Sequence, residues 1–303
     1  MTRERSTLMT NAQPASPQTE TAKSLLLGWL SARLSPEAFG WLEQQVAVIS
    51  SGERAQQLGI AVGLAPRKVG KADLDLTPSE REDGRRARKD LDTTGWSVDQ
   101  AARSLLVLAS FKGDEAAFAS GLDRIFVSAE IGEQIALLRG LPLFPAAKRL
   151  LPHAVEGVRS AMQPIFEAVA HRNPFSREEF SEAQWNQMVV KTLFIGSTLA
   201  PIQGLDERRN PELALMLFDY ARERRAAGRP VSHELWRCVG PFAGAREVGE
   251  LANMLANGVG MEAKAAALAL SECPLPEARS ALAATPALSA AIGNGHLTWN
   301  DIV

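Results

Sequence analysis

Lys191, Arg208, Arg209 and Arg237 are cations of a stretch, Trp185 to Phe242, that Arg222, Arg224, Arg225 and Arg229 make more basic still and that also carries Gln187, Gln203, Asp206, His233, Glu234 and Trp236. Side chains of these types hold a phosphate or carboxylate, or line a groove for a polar molecule or partner peptide. His171 and Asn173, in the turn His171-Arg172-Asn173-Pro174-Phe175, extend the set upstream. If the stretch did acid-base chemistry, His171 or His233 would carry the proton. Ordinary roles compete with each assignment. An imidazole at a helix end satisfies last-turn carbonyls, which suits His171. His233 and Glu234 are adjacent on an expected helix and point about 100° apart, so they do not act on one atom together. Arginines beside Asp206, Glu207 and Glu223 are equally well explained by surface pairs.

Familiar chemical motifs are missing. His153, His171, His233 and His296 are scattered, with neither a two-histidine helical pair nor a Cys/His cluster, so no metal or cofactor is expected. Gly258-Val259-Gly260 ahead of Lys264 lacks phosphate-loop spacing, and Ile195-Gly196-Ser197-Thr198 lacks the second glycine of a nucleophile elbow. No catalytic residue is assigned. With a formal net charge of −2 and both signs interleaved, the chain is not expected to bind nucleic acid. No run of about 18 apolar residues occurs, so no membrane span is expected. Cys238 and Cys273 read as reduced thiols of a cytoplasmic protein.

Helices must position these residues. Ser35-Pro36-Glu37 and Asn210-Pro211-Glu212 place a cap before proline at the first helical position. Thr77 to Glu80, Ser97 to Gln100, Ser176 to Glu179 and Ser181 to Gln184 match the reciprocal capping box. Apolar residues recur at helical spacing, as in Phe118, Leu122, Ile125 and Phe126, and alternating β-branched runs are nearly absent. The expected fold is all-α, an irregular HEAT-like helical-repeat solenoid of antiparallel helix pairs joined by short turns. A disordered tail over 1–20 would precede one domain over 21–303, with a polar connector at 66–80.

On a helical wheel, 182–196 is apolar apart from a strip of Gln184, Gln187 and Lys191, and the helix from Pro211 keeps a strip of Glu212, Asp219 and Glu223. The first expectation is that Lys191 pairs with Asp219 or Glu223 between the two packed helices. The second is that the strips line a groove.

The run Trp185-Asn186-Gln187-Met188-Val189-Val190-Lys191-Thr192-Leu193-Phe194-Ile195-Gly196, with Gly204 to Ala214, Asp219 to Arg224 and Ala227 to Phe242, resembles the EboA domain family over 170–242. The resemblance implies membership of a bacterial gene cluster whose other products look like a prenyltransferase, a sugar-phosphate cyclase and barrel-fold metal enzymes, making or moving a small metabolite. It brings no catalytic residues with it. Two readings follow. One is a non-catalytic adaptor or small-metabolite-binding protein whose partners are other proteins of that cluster and a small anionic or polar metabolite. The other is an enzyme acting on a polar or phosphorylated, cyclitol-like metabolite.

Overall fold

The computed structural model describes residues 17–53 and 56–302. Among the described residues there are seventeen α-helices and no strand, only an isolated bridge between Asp73 and Ser97. Most of the expected tail lies outside the described residues, and its last part, from Pro17, is the first turn of a helix. Two compact units meet in sequence at Phe175 and Ser176, within the expected 21–303 body.

The first unit holds α1 (Pro17–Ser31), α2 (Pro36–Ser51), α3 (Gln57–Val69), α4 (Pro78–Ala87), α5 (Val98–Ala109), α6 (Glu115–Ser128), α7 (Ile131–Gly140), α8 (Ala147–Arg159) and α9 (Gln163–Ala170). The sequence boundary falls within α10 (Pro174–Glu179). Helix α5 is the centre of this unit: every residue but Gln100 is buried, and α1, α2, α3 and α7 pack around it. Two of its buried residues are charged. Asp99 and Arg103, one turn apart, form an ion pair at 2.7 Å, which offsets the cost of removing both from water.

Caps form where a local pattern decides them. Ser35 accepts from Ala38 N–H, Thr77 from Glu80, Ser181 from Gln184 and Asn210 from Leu213. The expected cap at Ser97 does not form, because its hydroxyl donates to the buried Asp99 carboxylate. Ser176 starts no helix and lies inside α10. The connector is also shorter than expected: α3 runs through Pro66 to Val69, and only 70–77 separates it from α4. Pro66 has no N–H for the Val62 carbonyl four residues back, and Arg103 Nε fills that place at 3.0 Å.

The second unit holds α11 (Glu182–Phe194), α12 (Pro211–Ala226), α13 (Trp236–Val239), α14 (Ala245–Asn257), α15 (Met261–Glu272), α16 (Pro276–Ala283) and α17 (Pro286–Gly293). Helix α15 buries Ala265 to Leu270 without interruption, with α13, α14, α16 and α17 packed on it. Alanine lets backbones approach closely here. A Cβ on Gly240 would sit 2.5 Å from the Ala269 carbonyl oxygen and 2.7 Å from its Cα. Both thiols are buried in this unit, and burial pushes the Cys238 thiol up to about 12. Among the described residues, no helix is long and apolar enough to cross a membrane.

Helices α11 and α12 depart from the antiparallel expectation. Asn186, early in α11, exchanges amide hydrogen bonds with Asn210, the cap of α12, at 3.1 and 2.9 Å. At the other end the Tyr220 hydroxyl donates to the Leu193 carbonyl at 3.1 Å. The two helices therefore run in the same direction, and segment 195–210 returns across them with Leu199, Ile202 and Leu205 buried. Antiparallel pairing follows from a short turn; a returning connection of this length removes that constraint.

Candidate functional site

The arginines of the returning segment are engaged within the chain. Arg208 donates to the carbonyls of Ser176, Arg177 and Phe180 at 3.1, 3.0 and 2.8 Å, closing the end of α10, and its guanidinium lies 4.7 Å from the Trp185 ring centre. Arg237 grips Asp206 with two hydrogen bonds, at 2.7 and 2.6 Å. Those bonds hold the Asp206 carboxyl below its ordinary value against the opposing effect of burial, with added attraction from Arg237 and Arg209. Arg209 donates to the Arg237 carbonyl at 2.8 Å and pairs with Glu272, which also accepts from the Trp299 indole. The set expected as an anion clamp is thus an internal latch that ties 204–210 to α10, α13 and α15.

Trp236 is fully buried, edge-on to Phe218 at 6.4 Å with Arg225 over its ring at 5.3 Å, so its ring is core and not a surface anchor. Gln187 is exposed on α11, while Lys191 and Gln203 are half-buried. Asp219 and Glu223 are exposed, and Asp219 lies 3.7 Å from Arg222 on its own helix. The α12 strip faces water, which corrects the expectation of carboxylates buried between packed helices.

His171 and Asn173 belong to the first unit. Asn173 donates to the carbonyls of Leu138 and Ala168 at 3.0 and 2.9 Å and accepts from Phe175 N–H at 3.0 Å, so its amide braces the turn. Both residues border a small polar cavity of about 70 Å³, with Asp92, Arg139, Glu167 and Arg172 among its other walls. Burial, reinforced by Arg172, holds Arg139 below its ordinary value, although its guanidinium donates to Gly95 and Gln100 at 2.8 and 2.9 Å.

A larger cavity, about 360 Å³, lies in the second unit where α11 ends. Leu193, Tyr220, Pro230, Val231, Met261 and Ile302 give it apolar walls, and Ser197, Thr198, Arg224, Ser232, His233 and Glu234 add polar groups. Leu193, Glu234 and Ile302 are buried, whereas Gly196, Thr198 and Pro230 are exposed, so the cavity has a dry floor and a solvent-facing rim. Glu234 turns both oxygens away from chemistry: they accept from the backbone N–H groups of Leu199 and Ala200 at 3.0 and 2.9 Å and fix the start of the returning segment. Arg224 Nε donates to the Pro230 carbonyl at 3.0 Å, holding the strap 227–232 that forms one wall. An apolar enclosure of this volume with a few oriented polar groups is the usual form of a small-molecule site.

Of the residues expected from sequence, His233 and Glu234 line this cavity, together with Arg224 from the locally basic run. Leu193, Tyr220, Val231, Met261 and Ile302 come from five separate places in the chain and share no spacing that could have marked them.

Neither the curated proteins nor the solved structures compared with the chain contain a match. A family model described as metabolite traffic protein EboA matches residues 22–240. That span runs from α1 to the end of α13 and takes in the cavity walls from Leu193 to Glu234, leaving Met261 and Ile302 outside. With well over half of its length matched, and the arginine latch and most of the cavity inside the matched span, the chain belongs to the EboA family.

Proposed function

We propose that this protein is a non-catalytic carrier that holds a small metabolite in the cavity of the second unit and delivers it to other proteins of the same gene cluster, in the cytoplasm. The observation that carries the reading is the cavity itself: a buried apolar floor and an open rim, with its one acidic side chain occupied by two backbone amides. Of the two candidate acid-base groups on the cavity wall, Glu234 is turned onto the backbone, which leaves His233 without a carboxylate to orient it for catalysis. The family's description as a metabolite traffic protein agrees with binding and delivery.

We also read the helices as a degenerate repeat. In the second unit α14 packs on α15, α15 on α16 and α16 on α17, each on its neighbour in sequence, which supports that arrangement. A surface of this kind suits docking to partner enzymes.

The test is co-purification of the full-length protein with the products of its gene neighbours, followed by native mass spectrometry. Wild type is expected to carry a bound small molecule that Met261→Trp, which fills the cavity from a half-exposed wall, releases. Turnover of a metabolite by the isolated chain overturns the non-catalytic reading, and an occupied Met261→Trp protein overturns the assignment of the cavity.

A further inference from the structure

We propose that the occupant of this cavity is a small amphiphilic anion, an apolar body ending in a carboxylate or phosphate, and that Arg224 takes its headgroup. The inference rests on the reading of the cavity as a binding site and adds the ligand's chemistry.

The apolar part follows from Leu193, Val231, Met261 and Ile302, which would take hydrocarbon out of water. The charge follows from which polar groups remain available. Arg224 uses Nε on the Pro230 carbonyl and packs its guanidinium 5.8 Å from the Tyr220 ring centre, and among the described residues its two Nη groups have no partner. A guanidinium fixed through Nε presents its remaining N–H groups as a preset fork for two oxygens. His233, with no side-chain partner among the described residues, adds a second donor.

The carboxylate on the cavity wall and the carbonyls at its helix end are already hydrogen-bonded, so they do not compete for the Arg224 fork. Both Glu234 oxygens accept amides. At the end of α11 the Leu193 carbonyl accepts from Tyr220 and from Gly196 N–H, and the Thr192 carbonyl from Ser197 N–H. Asp301, beside Ile302, accepts from Thr298. The neighbouring arginines divide in the same way: Arg222 is paired with Asp219 and Arg225 with Glu250, but Arg229, exposed beside the rim residue Pro230, has no ion pair among the described residues. Arg224 and His233 therefore offer free N–H donors beside an apolar floor, the arrangement of a site for an amphiphile with a negative head.

Isothermal titration of the full chain with octanoate, octyl phosphate and octan-1-ol tests this, using wild type, Arg224→Gln, Arg224→Lys and Met261→Trp. At least one anion is expected to bind about tenfold or more tighter than the alcohol, the scale of one charge-assisted hydrogen bond. The tighter anion identifies the headgroup. Arg224→Gln should erase that advantage, read as the ratio of anion to alcohol affinity because the same side chain also holds the strap at Pro230, and Arg224→Lys should keep part of it. Equal binding of alcohol and anions overturns the inference, as does an advantage that survives Arg224→Gln. If Met261→Trp abolishes binding in those cases, the cavity stands as a site for a neutral ligand. Binding unaffected by Met261→Trp, or no binding of any probe, overturns both readings.

Discussion

Arg103 Nε donates to the carbonyl of Val62, the one backbone acceptor in α3 that Pro66 has no N–H to reach. The same guanidinium pairs with Asp99 at 2.7 Å, so one side chain repairs a helix and neutralises a buried carboxylate. Arg103→Met should destabilise the protein by about 3–5 kcal/mol, because Asp99 is left buried and unpaired. Adding Pro66→Ala restores an N–H to the Val62 carbonyl and should recover about 1 kcal/mol. Urea unfolding of the two variants measures both changes; equal stability of single and double variants counts against the repair.

The Asp206 and Arg237 pair closes the latch between the returning segment and α13. Asp206→Ala and Arg237→Ala should each cost about 1 kcal/mol, at the upper end for a partly exposed pair. The double variant should cost little more than either alone, since the interaction is shared. A double-mutant cycle by denaturant midpoint decides this, with strict additivity as the contrary result.

Glu234→Gln leaves one oxygen acceptor where two backbone amides now converge. Leu199 or Ala200 then loses its partner, at a cost of about 1–3 kcal/mol. Amide hydrogen exchange should accelerate over 197–205 while the core of α15 is unchanged; uniform protection of both regions would argue against Glu234 as the anchor.

Gly240→Ala should cost about 1–3 kcal/mol, because the new Cβ meets the Ala269 backbone, which has no rotamer by which to move aside. The variant is expected to melt earlier, and Ala269→Gly should not rescue it, since the clash is with the Cα and carbonyl. Rescue would place the strain on the Ala269 methyl instead.

Arg33 holds Glu80 with bonds of 2.8 and 2.7 Å, and Thr77 N–H adds a third at 2.8 Å. Chiefly through the Arg33 bond, the Glu80 carboxyl is lowered to about 2. A carboxyl lowered by folding stabilises the fold above its unfolded value of about 4.3 and loses that contribution as pH falls toward the folded value. The stability gap between wild type and Glu80→Gln should be about 1 kcal/mol or less at pH 6 and should close between pH 4 and pH 2. A gap that persists at pH 2 would remove Glu80 as its source.

Local signals were legible in the sequence and tertiary ones were not. The caps at Ser35, Thr77, Ser181 and Asn210 depend on residues within one turn, and each forms as the spacing predicts. Ser97 shows the limit of that rule, because a buried carboxylate two residues away drew its hydroxyl off. Asp99 and Arg103 have the spacing of an ordinary surface pair, and only the helices packed around α5 make the pair a buried one. Arg208, Arg209 and Arg237 were visible as cations, but a sequence does not show that carbonyls and carboxylates of the same chain already occupy them. The parallel course of α11 and α12 was hidden for a related reason: Leu199, Ile202 and Leu205, which seat the returning segment, are spaced by three as on a helix face, and that spacing does not show that the segment is a run of turns crossing the pair.

The two inaccessible sulfurs make this chain a clean starting material for probe attachment. Cys238 and Cys273 are both buried out of a maleimide's reach, and Cys238 also keeps its proton far above neutral pH. A reporter placed at the exposed rim residue Thr198 as Thr198→Cys would then carry the only readily labelled thiol among the described residues, and its emission would read occupancy of the neighbouring space directly.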